Sequence, residues 1–257
     1  MLKKILSSVG IGAASVNTRL APAGLLHPGG VVRGDIVVRG GSVAQEIRGI
    51  TLMLMTQYEY ESNDTKVMAD YALSSFRIPE AFTTHPGAER VFDFTLDVPL
   101  FTPITTNRQR VWLKTELDIA DAIDASDSDP VQVSPTPIMQ AVMNGMTHLG
   151  FQLRDSRCEK GRGNSHLPFV QEFEFVAYQG FYRGRVDEVD VIFHNHGHAV
   201  DVTLEVDRKA RGLAGFLEAA MDMDERRIRL QFDAADAGNP PQHFADWLHR
   251  AMSVHAS

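Results

Sequence analysis

The clearest structural signal in the chain is the run Val200-Asp201-Val202-Thr203-Leu204-Glu205-Val206-Asp207, in which apolar and polar residues alternate. Side chains of a β-strand point to opposite faces in turn, so this alternation predicts a strand with one buried and one solvated face. The same pattern recurs around Phe173 and Phe175 and over Val111–Ile119. Further runs of strand character lie at Ser15–Leu20, Val31–Arg39, Ile50–Tyr58, Tyr71–Ile78, Val91–Leu96, Val186–Phe193 and Arg226–Phe232.

Short turn sequences separate these runs. Pro28-Gly29-Gly30 and Gly161-Arg162-Gly163 combine residues that favour tight turns. Asn195-His196-Gly197 lies between two alternating runs, which predicts the tip of a β-hairpin. Many short strands at this spacing favour antiparallel β-sandwiches.

Two segments carry helical signals instead. Thr136 is a good N-cap residue, and the apolar stripe that follows it ends near Gly150, which predicts a helix over 137–149. An apolar stripe after Pro240 predicts a second helix over 241–252. Weaker helical signals lie at Leu213–Ala220 and in the first seven residues.

The distribution of acidic residues predicts two domains. A chain of 257 residues has room for one or two domains. Six acidic residues and no basic residue lie between Glu116 and Asp129, and three prolines lie between positions 130 and 137. Together with the small polar residues of 124–130 they predict a solvated linker and a domain boundary near residues 120–136, so we place one domain at 1–127 and the other at 128–257.

The composition excludes several classes of protein. Lys and Arg number 25 against 33 Asp and Glu, a net charge of −8, whereas general nucleic-acid binding needs basic residues that contact phosphates. No apolar run approaches the roughly 20 residues of a membrane-spanning helix. Cys158 is the single cysteine and cannot form an internal disulfide, which fits a reducing compartment. No cleavable signal-peptide pattern follows Lys3-Lys4, so the prediction is a cytoplasmic protein.

Three histidines, His194, His196 and His198, are the strongest candidates for metal ligands. On a straight strand they would project to one face, as ligands must. A turn at 195–197 would instead scatter them, and no paired carboxylate or cysteine nearby completes a tetrahedral site. The turn is the favoured interpretation.

Cys158 is a candidate nucleophile, because its neighbours Arg157 and Lys160 could lower the pKa of the thiol. No catalytic signature surrounds it, and the sequence identifies no base partner. Phosphate-binding loops, nucleophile elbows and zinc-protease pairs are absent from the sequence. The sequence therefore predicts no catalytic, cofactor-binding or metal-binding residue and no cofactor.

Two further strings have a structural and a functional interpretation. Leu167–Phe175 is favoured as a strand with one apolar face over an exposed edge or an inter-domain contact. Glu205–Gly212 carries charges of both signs at a strand end and is favoured as a salt-bridge cluster over a binding patch.

A set of short strings is distributed in order along the whole chain. They are Lys3-Lys4, Ser8–Ala13, Pro28-Gly29, Gly34, Gly40-Gly41, Gln45–Ile47, Trp112–Thr115, Leu117–Ile119, Leu167–Phe175, Gly184-Arg185 and Glu205–Arg208. As a set they resemble the bacterial sporulation-control family SpoOM. The resemblance implies two arrestin-like β-sandwich domains in tandem, with a few short helices, and a regulatory role without catalysis. It supplies no catalytic or ligand-binding residues.

The resemblance and the residues together favour a cytoplasmic regulator or adaptor that acts through contacts with unidentified proteins. Sheet edges, the N-terminal turn and the helix around Trp247 are candidate contact surfaces. One alternative is a metal-dependent or hydrolytic enzyme that uses His194, His196 and His198. The other is a peripheral membrane regulator that makes a weak membrane-surface contact through residues 2–6. The partner and the oligomeric state stay open.

Overall fold

The computed structural model describes residues 12–22, 24–161, 167–208 and 227–253. Over these ranges the chain is mostly β, with two α-helices and one short 3-10 helix, which confirms the predicted mainly-β class. The helical predictions for the first seven residues and for Leu213–Ala220 lie outside the described residues.

The chain divides into two compact units. One comprises the residues up to Gln57 together with Asp70–Thr105 and Arg110–Ser134. The other comprises Tyr58–Ala69, Thr106–Gln109 and the residues from Pro135 onward. The predicted pair of arrestin-like domains, 1–127 and 128–257, stays a prediction.

The first unit contains two β-sheets. Its strands are β1 (Ser15–Leu20), β2 (Val31–Arg39), β3 (Gln45–Ser62), β4 (Thr65–Ile78), β5 (Phe82–Thr84), β6 (Glu89–Asp97), β7 (Val111–Ile119) and β8 (Ala125–Val131), with the end of β3 and the start of β4 belonging to the second unit. One antiparallel sheet has the order β1-β2-β6. In the other sheet β3 pairs with β4, β5 and β7, and β7 pairs with β8.

The apolar faces of these two sheets form the core of the first unit. Ile36 of β2 and Leu113 of β7 have no solvent-exposed surface. The hydroxyls of Thr18 in β1 and Thr115 in β7 lie 2.5 Å apart, which ties the two sheets together inside the core. Two facing sheets with an apolar interior form a β-sandwich.

The second unit is built on a five-stranded antiparallel sheet with the order β9-β10-β11-β12-β13 among the described residues. The end of β3 lies parallel to β9, with Glu59 opposite Glu159. Its elements are α1 (Pro137–His148), β9 (Phe151–Lys160), β10 (Phe169–Ala177), β11 (Val186–Asn195), β12 (Ala199–Arg208), β13 (Arg227–Asp233), a 3-10 helix (Ala234–Gly238) and α2 (Pro241–Met252).

The two helices confirm the predictions from the sequence. The hydroxyl of Thr136 accepts the N–H of Met139 at 3.4 Å and caps α1, as expected. The two helices pack closely because Gly145 of α1 has no side chain, and an added Cβ would lie 2.6 Å from the Cβ of Phe244 in α2. Phe244 in turn contacts Phe232 of β13, with ring centroids 5.4 Å apart. The helices therefore cover apolar residues of the sheet.

The predicted solvated linker is wrong, because residues 125–131 form strand β8 and pair with β7 along its whole length. Asp127 and Asp129 alternate with Ser126 and Ser128, so the carboxylates point toward the sandwich interior while the serines are exposed. The side chain of Asp127 is accommodated because it accepts two backbone N–H groups there. The predicted division at residue 127 falls inside β8, and the last of the several changes between the two compact units lies at residue 135.

Candidate functional site

The three histidines lie at the tip of the β11–β12 hairpin, as the turn interpretation predicted. The N–H of His196 donates to the carbonyl of Ala199 at 2.9 Å, and Gly197 takes a φ of +84°. His194 lies opposite Asp201 in the ladder, while His196 and His198 lie in or beside the turn. Among the described residues no group of three His, Cys, Asp or Glu side chains is placed to hold a metal ion.

The polar groups at this tip pair with one another. His196 Nε2 lies 2.9 Å from Asp201 Oδ2, and this contact is the main reason that the pKa of Asp201 lies below its ordinary value. Gln231 donates to the other oxygen of Asp201 at 2.8 Å. Desolvation lowers the pKa of His194, which favours its neutral form. The cluster closes the hairpin tip with local hydrogen bonds.

Cys158 is a buried core residue of β9. Cys158 is only 1% exposed, and its backbone N–H donates to Oε1 of Gln109 at 2.7 Å. Burial, aided by the charge of Glu172, raises the pKa of the thiol well above its ordinary value, so it stays protonated. Arg157 is its neighbour in sequence but not in space, because alternation along β9 directs the guanidinium to the opposite face.

The outward face of the second unit's sheet carries a network of ion pairs. Arg157 pairs with Asp155 and Glu159, each at 2.6 Å. Arg154 pairs with Glu174 and, at 2.6 Å, with Glu188. A shallow cavity of about 140 Å³ lies in this face and is lined by Asp155, Ser156, Arg157, Glu159, Glu172, Glu174, Glu188 and Asp190.

The structure favours the structural interpretation of the two sequence strings, Leu167–Phe175 and Glu205–Gly212, that also had a functional one. Phe173 and Phe175 are buried while Glu172 and Glu174 face outward, so Leu167–Phe175 contains the predicted strand with one apolar face. In the other string, Glu205 pairs with Arg227 of β13 at 2.8 Å, which supports the salt-bridge interpretation. Residues 209–212 of that string lie outside the described residues.

Asp190 lies at the centre of this acidic face. Glu174 and Glu205 are its cross-strand neighbours on the two adjacent strands. Burial, followed by the charges of Glu172, Glu188, Glu205 and Asp207, raises the pKa of Asp190 from 3.8 to about 7. Between these two values the folded chain binds this proton more tightly than the unfolded chain, so acidification from above pH 7 toward pH 4 stabilises the fold.

We expect Asp190→Asn to stabilise the protein above the folded-state pKa, because an amide carries no charge to desolvate or repel. The expected gain near pH 9 is roughly 1–2 kcal/mol after solvent screening, and it should shrink as the pH falls from 7 and vanish below about pH 4, where the carboxyl is protonated in the unfolded chain as well. Urea unfolding at both pH values measures the difference. The exposed Asp93 is the control, where Asn should change the free energy of unfolding by less than about 0.5 kcal/mol. A destabilised Asp190→Asn protein near pH 9 would contradict this account.

The sequence analysis missed a carboxylate in the first unit that bonds two strands, which we call the clasp and define as Asp127 with the N–H groups of Thr18 and Ser128. Asp127 Oδ2 accepts the N–H of Thr18 in β1 at 2.6 Å, and its Oδ1 accepts the N–H of Ser128 at 2.9 Å. These N–H groups belong to strands at the edges of the two sheets, and inward charges of this kind are a known means of protecting sheet edges. Burial and the neighbouring Asp127 raise the pKa of Asp129 from 3.8 to about 6.

A second missed feature is the loop between β10 and β11, which we call the aromatic–arginine loop and define as residues 178–185. It exposes 66% of Tyr178 and 47% of Phe181, and Arg183 and Arg185 are also exposed. Tyr182 in the same loop is buried, and its hydroxyl lies 2.9 Å from His249 Nδ1 in α2. The sequence carries no signal for this surface, because the exposed Phe181 and the buried Tyr182 are adjacent aromatic residues that it does not distinguish.

Two of the predicted contact surfaces lie near the chain ends, at the helix around Trp247 and in the N-terminal residues. Trp247 of α2 is 44% exposed, but its ring contacts Phe232 and the guanidinium of Arg250 lies 5.6 Å from its centroid. The N-terminal residues 2–6 lie outside the described residues. Among the described residues, none of the helices has the length and apolar character needed to cross a membrane.

Comparisons with known proteins agree with this fold. The model of the SpoOM protein family matches residues 2–210. The sporulation-control protein spo0M of Bacillus subtilis (strain 168) is 40% identical over 235 residues, which cover 91% of each chain. The crystal structure of Spo0M from Bacillus subtilis superposes with a TM-score of 0.85 at 37% identity, covering 96% of this chain and 100% of that one. The chain is thus a member of the SpoOM family.

Proposed function

We propose that this protein is a non-catalytic cytoplasmic regulator that acts through contacts with other proteins. The observation that carries the proposal is its similarity, over nearly the full length of both chains, to a protein named for sporulation control. Similarity over the whole length, rather than over one motif, favours a shared role for the scaffold and its surfaces.

The chemistry of the candidate residues supports a role without catalysis. Cys158 is buried with a raised thiol pKa, which makes it a poor nucleophile. His196 is paired with Asp201 at the hairpin tip, and His198 follows the turn. The aromatic–arginine loop, by contrast, exposes the residue types that are enriched where proteins bind each other.

Affinity capture from lysates of the protein's own host tests this proposal. The tagged full chain should recover the same protein or proteins in independent preparations, in amounts above those recovered by the tag alone. Recovery of no protein above that background, after chemical cross-linking in intact cells as well, would overturn the proposal.

A further inference from the structure

The aromatic–arginine loop is anchored to α2 through two of its aromatic residues. The Tyr182 hydroxyl is bonded to His249, and the ring of Phe181 contacts Tyr182 at 5.1 Å and His249 at 5.4 Å, measured between centroids. Gly180 and Gly184 take φ values of +76° and +75°, which other residues adopt only with strain. A loop held in this way loses little conformational entropy when a partner binds.

The exposed part of the loop has the composition of a binding hot spot. The exposed rings of Tyr178 and Phe181 lie next to two arginines in the sequence. The guanidinium of Arg185 lies 4.1 Å from the centroid of Phe181, within the range of a cation–π contact. Exposed aromatic residues and arginines grouped in this way mark protein interaction sites.

The charges of the loop indicate the chemistry of its partner. Arg154, Arg157 and Arg227 of this unit are paired with carboxylates. Within the described part of the chain, neither Arg183 nor Arg185 has a carboxylate at ion-pair distance. Two unmatched guanidiniums on a chain of net charge −8 favour carboxylates supplied by another molecule, which arginine binds with two parallel hydrogen bonds.

A peptide segment fits this surface better than a membrane does. Glu188 and Asp190 lie on β11, the strand that follows the loop, and they belong to the acidic face described above. A bilayer carries anionic charge over its whole surface and would bring it against that face, where charges interact over about 8 Å at physiological salt, whereas a short segment can place a single carboxylate on the arginines of the loop. The ring of Phe181 also rests against His249 and Tyr182, whereas an inserted anchor must reach into the bilayer.

We propose that the aromatic–arginine loop docks an acidic segment of a partner protein, with a carboxylate on Arg183 or Arg185 and an apolar side chain against Phe181 and Tyr178. This inference rests on the proposed function and specifies the surface and partner chemistry through which it operates.

The test uses the full chain as bait for a displayed library of random dodecapeptides. Selected peptides should be enriched in Asp or Glu beside an apolar residue. Synthetic copies should bind the Arg183→Glu/Arg185→Glu variant at least about tenfold more weakly than the native chain. The Arg33→Glu/Arg48→Glu variant makes the same change in charge at exposed arginines of the other unit and should bind normally. Circular dichroism establishes that both variants are folded.

Three results would overturn the inference: no enriched peptide, enrichment without acidic residues, or equal binding to the loop variant. Sedimentation with phosphatidylglycerol vesicles tests whether the loop binds a membrane instead. Vesicle binding that depends on Arg183 and Arg185, without selected peptides, would assign the loop to membranes instead. A host protein captured equally by the native chain and the loop variant would remove this inference and leave the proposed function standing.

Discussion

Replacing Phe244 with alanine is expected to lower the free energy of unfolding of the second unit by about 3–5 kcal/mol. Phe244 of α2 has no exposed surface, its ring contacts Phe232 of the sheet, and its Cβ lies where a side chain on Gly145 of α1 would be. Removing the ring leaves a cavity between helix and sheet, and the surrounding structure relaxes only partly into such a cavity. Urea unfolding followed by the fluorescence of Trp247, in a Trp112→Phe background, reports this unit.

Arg250 provides the matched control on the same helix. Its guanidinium lies beside Trp247 on the exposed side of α2, so Arg250→Ala should cost less than about 1 kcal/mol. A comparable loss for the two variants would show that α2 is not docked as described. The same argument predicts that deletion of 240–257 abolishes folding of the unit, so loss of a partner in that deletion would say nothing about a binding role for the helix.

Replacing Asp127 with alanine is expected to destabilise the first unit by about 2 kcal/mol. The change leaves the N–H of the buried Thr18 without an acceptor, and a lost hydrogen bond to a charged group costs about 1.5–3 kcal/mol. Relief of the repulsion with Asp129 offsets a small part of this loss. The fluorescence of Trp112 in a Trp247→Phe background reports unfolding of this unit.

Two neighbouring changes separate the clasp from a general effect on β8. Asp127→Asn keeps an acceptor oxygen and should recover about half of the loss. Ser126→Ala changes an exposed side chain on the same strand and should have an effect below about 0.5 kcal/mol. If Asp127→Ala is no more destabilising than Ser126→Ala, the carboxylate does not hold the two edges.

Strands and helices with apolar periodicity were predictable. The alternation at 200–207 corresponds to β12, and the Thr136 cap defines the start of α1. Strand β8 was not predictable, because an alternation of Asp and Ser produces no hydrophobic pattern and the composition of the segment is typical of a linker. The partner of Asp127, the N–H of Thr18, lies far away in the sequence, so no local pattern indicates it.

For the candidate surfaces, too, the sequence indicates what local residues determine and does not indicate what depends on burial. The interpretation of His194, His196 and His198 as a hairpin tip followed from local turn residues. The parity of β9 would have directed Arg157 away from Cys158, although sequence proximity suggested an interaction. The aromatic–arginine loop becomes visible only when Tyr182 is known to be buried and Phe181 exposed, since both are aromatic residues in one short string.

The central claim, regulation through contact without catalysis, is tested most directly by removing the candidate catalytic side chains together. A chain carrying His194→Ala, His196→Ala, His198→Ala and Cys158→Ala, shown to be folded, is introduced into a host strain that lacks the gene. We predict that it restores the phenotype of the native gene and captures the same proteins. A folded variant that captures those proteins but fails to restore the phenotype would contradict the claim.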